Sequence, residues 1–69
     1  MKRTQVITKI KQAAKRHGVR FEQVELKKHT GIIVDGHRST ISRQTEIPDG
    51  TARAFWKQFE EVLGEGWWR

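Results

Sequence analysis

Three histidines, His17, His29 and His37, are the side chains of this sequence that ordinarily titrate near neutral pH, so proton transfer is sought there first. His29 has the richest surroundings. Lys27 and Lys28 precede it, a β-prone run follows it, and pairing of that run with the next brings Ser42 opposite, near Arg38 and Arg43. A near-neutral imidazole among cations suits metal-free cleavage of RNA. The base takes the 2′-hydroxyl proton, and the cations stabilise charge that builds on the phosphorane. The same features also fit a strand-end histidine in solvent, or a simple phosphate contact. His17 reads as a dipole partner at a helix C-terminus, and His37 as a rim residue beside a hairpin turn.

Other chemistries find less support. There is no Cys, the three His have no zinc-like spacing, and Asp35 belongs to a turn, so neither a metal nor another cofactor is expected. Phosphate-cradling loops and the Gly-x-Ser-x-Gly elbow are missing. Ser39 and Ser42 lack an acid partner for a triad.

The elements that must position His29 follow from periodicity. Val6, Ile7, Ile10, Ala13 and Ala14 recur at helical spacing within 4–17, with Thr4 as the expected N-cap and Gly18 as the stop. In Val19–Leu26 the apolar alternation slips between Phe21 and Val24, and a strand is expected from about Glu22 with Phe21 at its entrance. Lys27-Lys28 separates this strand from the next.

Asp35-Gly36 predicts a two-residue type I′ hairpin, because both central residues need positive φ. Strands 29–34 and 37–42 then pair so that Thr30, Ile32, Val34, His37, Ser39 and Ile41 share the core side. His29, Gly31, Ile33, Arg38, Thr40 and Ser42 take the open side. Pro48-Asp49-Gly50 leads into a second helix, with Asp49 or Thr51 near its N-cap. Ala52, Phe55, Trp56, Phe59, Val62 and Leu63 form one wide apolar stripe that ends at Gly64. Residues 64–69 are a tail whose Trp67-Trp68 either folds back or presents a sticky patch.

The expected architecture is α+β: one domain over 1–69 in the order α-β-β-β-α, its three-stranded antiparallel sheet covered on one face by two helices. Sixty-nine residues do not support a second core. No apolar run approaches the ~20 residues of a membrane span, and the Met-Lys-Arg start lacks an apolar run behind it, so a cytoplasmic setting is expected. The formal net charge is +6, and residues 1–35 carry nine bases and three acids against five of each in 36–69. A polyanionic partner is therefore expected, on a surface that leans toward the N-terminal half. The basic face of helix one fits either ordinary solvation or phosphate tracking.

One stretch also carries a family likeness. Lys28-His29-Thr30, then a hairpin, then Ile41-Ser42-Arg43-Gln44-Thr45-Glu46-Ile47-Pro48-Asp49-Gly50-Thr51-Ala52-Arg53, with Lys57-Gln58 further on, resembles the HicA toxins of bacterial toxin–antitoxin systems over about residues 4–63. The resemblance implies a double-stranded-RNA-binding-domain-like fold and an endoribonuclease acting on mRNA, with His29 catalytic. It also implies a HicB antitoxin that masks the active face. Lys27, Lys28, Arg38 and Arg43 are the expected phosphate ligands. The alternatives are a non-catalytic RNA-binding module of the same fold, and an interaction protein whose charge only steers encounter.

Overall fold

The computed structural model describes residues 1–69 and follows the expected order. Helix α1 spans Arg3–Arg16, strands β1 to β3 span Phe21–Glu25, His29–Val34 and His37–Ser42, and α2 spans Asp49–Lys57 with a short α3 at Glu60–Leu63. The antiparallel sheet has the order β1-β2-β3. In β2–β3, Asp35 (φ 50°) and Gly36 (φ 82°) form the two-residue turn. The register that follows pairs Val34 with His37, Ile32 with Ser39, Thr30 with Ile41 and His29 with Ser42, as expected. A one-residue slip would carry Ile32 and Ile41 into water, so burial reinforces the turn in fixing this register.

Both helices cover the same sheet face. Val6, Ile7, Ile10, Ala13 and Ala14 from α1 meet Ile32, Val34 and Ile41 from the sheet and Ala52, Phe55, Trp56, Phe59 and Leu63 from the C-terminal helices. Trp56 ties the layers by donating its Nε1–H to the Val6 carbonyl (3.2 Å) in the buried interior.

Three details depart from the sequence reading. The N-cap of α1 lies two residues earlier, at Lys2, whose backbone N–H donates to Gln5 Oε1 at 3.1 Å, so Thr4 lies within the first turn. Pro48 is the N-cap of α2, and Asp49 and Thr51 lie inside that helix. The single second helix is interrupted: Gln58 and Phe59 bond to the carbonyls three residues back, Phe55 and Trp56, instead of four. This tighter turn brings fully buried Phe59 edge-on to both Phe55 (centroids 5.3 Å apart) and His37 (5.5 Å).

The tail folds back. Trp67 donates its Nε1–H to the Trp56 carbonyl at 2.9 Å and packs edge-on to that ring, and Trp67 and Trp68 both lie against the core. No helix is long and apolar enough to cross a membrane.

Candidate active site

His29 opens β2 at the sheet end formed by the β1–β2 turn. Leu26 N–H donates to the His29 carbonyl at 2.8 Å, which closes the turn around Lys27-Lys28 and fixes the backbone at His29. The imidazole is exposed on the uncovered sheet face, opposite Ser42, and makes no hydrogen bond within the chain. Lys27 and Lys28 are exposed beside it. Arg38 shares the uncovered face but pairs with Ile33, four residues further along β2, so it stands toward the hairpin end.

Arg43 has a different environment. Its position after Ser42 turns it toward the helix side, where Nε pairs with Glu25 Oε1 at 3.6 Å and Nη1 donates to the Leu26 carbonyl at 3.4 Å. The structure thus groups Lys27 and Lys28 with His29, sets Arg38 apart along the strand, and engages Arg43 in an ion pair at the same sheet end.

That pair belongs to a cluster the sequence reading did not contain. Buried Thr30 donates its Oγ1–H to Glu25 Oε1 at 2.8 Å and accepts a hydrogen bond from Arg3 Nη2, which also reaches Glu25 Oε1 at 3.4 Å. Gln23 Nε2 donates to the other carboxylate oxygen at 2.7 Å. These bonds from Gln23 and Thr30, with the positive fields of Arg3 and Arg43 behind them, hold the Glu25 carboxyl below the usual carboxylate range. Glu25 is therefore ionised at neutral pH and offers no proton. Arg3 Nε is buried without an acceptor, a cost that the charge-assisted contacts of its Nη2 offset.

Beside the cluster lies a notch of about 150 Å³ lined by Lys2, Arg3, Thr4, Arg43 and Thr45. Three cations and two hydroxyls line it, and two of the cations, Arg3 and Arg43, also pair with Glu25. Across the sheet, Val24, Leu26, Gly31, Ile33, Arg38 and Thr40 line a shallow groove of about 160 Å³ next to His29. Val24 and Leu26 are 45% and 47% exposed there. The slipped alternation in β1 was the available signal: Phe21 pairs with Val34 on the core side, so Val24, opposite Gly31, faces outward.

Comparison with protein-family models, with curated proteins and with solved structures finds no match to this chain. The chemistry available is that of the site itself. No group of three or more His, Cys, Asp or Glu side chains converges as metal ligands would. The uncovered face of this sheet end carries one imidazole with Lys27 and Lys28 beside it, and the helix side carries one carboxylate bound by Arg3 and Arg43.

Proposed function

We propose that this protein is a HicA-like endoribonuclease that cleaves mRNA with His29 as its general base. One observation carries the reading: His29 stands exposed on the uncovered sheet face, opposite Ser42, with Lys27 and Lys28 exposed beside it. The imidazole is thus the group at that end suited to moving a proton near neutral pH.

In the reaction, His29 takes the proton from a ribose 2′-hydroxyl, and the 2′-oxygen forms a bond to phosphorus. The bond from phosphorus to the 5′-oxygen then breaks. The products are a 2′,3′-cyclic phosphate and a 5′-hydroxyl, whose proton comes from water. Lys27 and Lys28 stabilise the phosphorane, and the Lys2–Arg3–Arg43 notch holds a neighbouring phosphate. Arg38 binds the chain further along the strand. No acid is aimed at the leaving oxygen, so turnover is slow.

The exposed Val24 and Leu26, with half-buried Ile33 further along the same face, suit a protein partner that covers this face, in the manner of a HicB antitoxin. Docking there would bury the apolar groove and close access to the imidazole together.

The test incubates parent protein and His29→Ala with a long single-stranded RNA in EDTA and maps the fragment ends. Parent cleavage to 2′,3′-cyclic phosphate ends, lowered by about 10²–10⁴-fold in His29→Ala, is the expected result. Fragments with 5′-phosphate ends would point to hydrolysis by activated water and overturn the mechanism. Binding by both proteins with cleavage by neither would identify a non-catalytic RNA-binding module.

A further inference from the structure

The largest concavity of the molecule is on the helical side, away from the uncovered sheet face. It has a volume of about 520 Å³ and lies between the outer face of α1 and the C-terminal segment. Thr4, Gln5, Thr8, Lys9, Gln12 and Arg16 form one wall, and Trp67, Trp68 and Arg69 form the other. The lining contains three cations, two indoles, two amides and two hydroxyls, and no Asp or Glu side chain.

The aromatic wall is braced from below. Lys9 Nζ lies 5.0 Å from the Trp56 ring centre, Trp67 packs on Trp56, and Trp68 packs edge-on to Trp67 with centroids 6.0 Å apart. The Arg69 guanidinium sits over Trp68 at 5.6 Å. Trp56 and Trp67 spend their indole N–H groups on backbone carbonyls, whereas Trp68 Nε1 has no acceptor within the chain. A half-exposed, rigidly backed indole beside cations is a stacking platform with phosphate ligands next to it.

The groove adjoins the notch that lies at the same sheet end as His29. Thr4 lines both this groove and the Lys2–Arg3–Arg43 notch, and Arg43 directly follows Ser42, the partner of His29 across the sheet. From Arg16 to Thr4 the helix runs about 18 Å at 1.5 Å per residue.

We propose that the α1–tail groove is a single-stranded RNA track, in which Trp68 stacks a base, Lys9, Arg16 and Arg69 bind phosphates, and Gln5 and Gln12 meet base edges. The inference rests on the reading of the chain as an RNA-cleaving protein. It gives that protein a binding segment remote from the scissile bond. RNA is favoured over an acidic peptide because the groove pairs its cations with a half-buried indole and side-chain amides, which a row of carboxylates would leave unused. The track leads the strand past the notch toward His29, so productive substrates extend beyond the site of cleavage.

The test measures binding of a 5′-fluorescein-labelled, unstructured 12-nucleotide RNA by anisotropy at 50 and 200 mM NaCl, in a His29→Ala background that keeps the RNA intact. The variants are Arg16→Gln with Arg69→Gln, Trp68→Ala, and Arg53→Gln with Lys57→Gln as an exposed basic control outside the groove. With a slope of about −0.7 per neutralised phosphate, losing two groove cations reduces the affinity drop between these salts by about sevenfold. Trp68→Ala weakens binding by about fivefold or more. The control pair leaves binding near the parent value.

Both groove arginines are exposed, so their double variant folds and decides the matter even if Trp68→Ala does not. Parent-like RNA binding by that double variant, or equal weakening by the control pair, would overturn the track. So would displacement of RNA by a glutamate-rich peptide of equal charge at equal concentration. Failure of the parent to cleave RNA would refute the ribonuclease reading separately, since these binding measurements do not depend on cleavage.

Discussion

Gly31→Ala is expected to stabilise this protein, although Gly31 is buried in the central strand. Its backbone lies outside the positive-φ region, so alanine adopts the conformation without strain. An added Cβ would lie 3.5 Å from the Val24 carbonyl oxygen, 3.8 Å from Val24 Cβ and 3.9 Å from Leu26 Cδ1, all ordinary contact distances. The variant therefore loses chain entropy from its unfolded state without overpacking the native one, worth about 0.4–1 kcal/mol. For a domain of this size that is a rise in Tm of about 2–8 °C. Urea denaturation followed by circular dichroism should show the midpoint rising by about 0.4–1 M with an unchanged slope. The added methyl also projects into the groove beside His29. A HicB-like partner docking on that face should bind the variant more weakly, even though the variant is the more stable protein. A lowered Tm would refute the reasoning, because it would mean that the space between Val24 and Leu26 is already filled.

Two further perturbations test the scaffold. Glu25 has a folded-state pKa below its ordinary value of 4.5, so its contribution is fully present above that value and disappears as pH falls through the folded pKa. Parent stability should thus drop below about pH 4.5, and Glu25→Gln should flatten that part of the urea-midpoint profile; an unchanged acid profile would disprove the assignment. Phe59→Ala empties a fully buried ring site shared with Phe55 and His37. A loss of about 3–5 kcal/mol, against a total of about 3–10 for a chain this short, should abolish or severely lower its cooperative melt. Retention of the parent melting temperature would contradict the packing described.

The parts of this structure that were legible in the sequence are those governed by local chemistry. Asp35-Gly36 specified a turn, the turn specified a register, and the register placed His29 on the uncovered face opposite Ser42. The break at Gln58–Phe59 was not legible, because the apolar stripe continues through it at helical spacing. The interruption is imposed by a ring that must meet both Phe55 and His37 across the core. The ion pair of Arg43 was not legible for a similar reason. Its partner Glu25 lies on a strand distant in sequence, held there by Arg3 from a helix and Thr30 from the core. Such long-range pairs have no periodicity to read.

The charge asymmetry acquires a spatial meaning once these elements are assembled. Every base of α1, together with Lys27 and Lys28, comes from the first half of the chain, while the acids of the second half lie in 46–65, with four of the five on α2, α3 and the segment after them. Of the first-half acids, Glu25 is paired with Arg3 and with Arg43 of the second half, and Glu22 is paired with Arg20 at 3.0 Å. No Asp or Glu side chain is among the residues that line the α1 groove. On the proposed reading, a polyanion would be drawn first to α1, where fewer carboxylates offset the cations, and would reach the His29 end by way of Thr4 and the notch. Encounter and the proposed chemistry would then fall on different surfaces joined at one end of the sheet. On that arrangement, raising the salt concentration should slow capture of RNA more than it slows cleavage of RNA already bound, because capture depends on the exposed, screened charges and proton transfer depends on one imidazole.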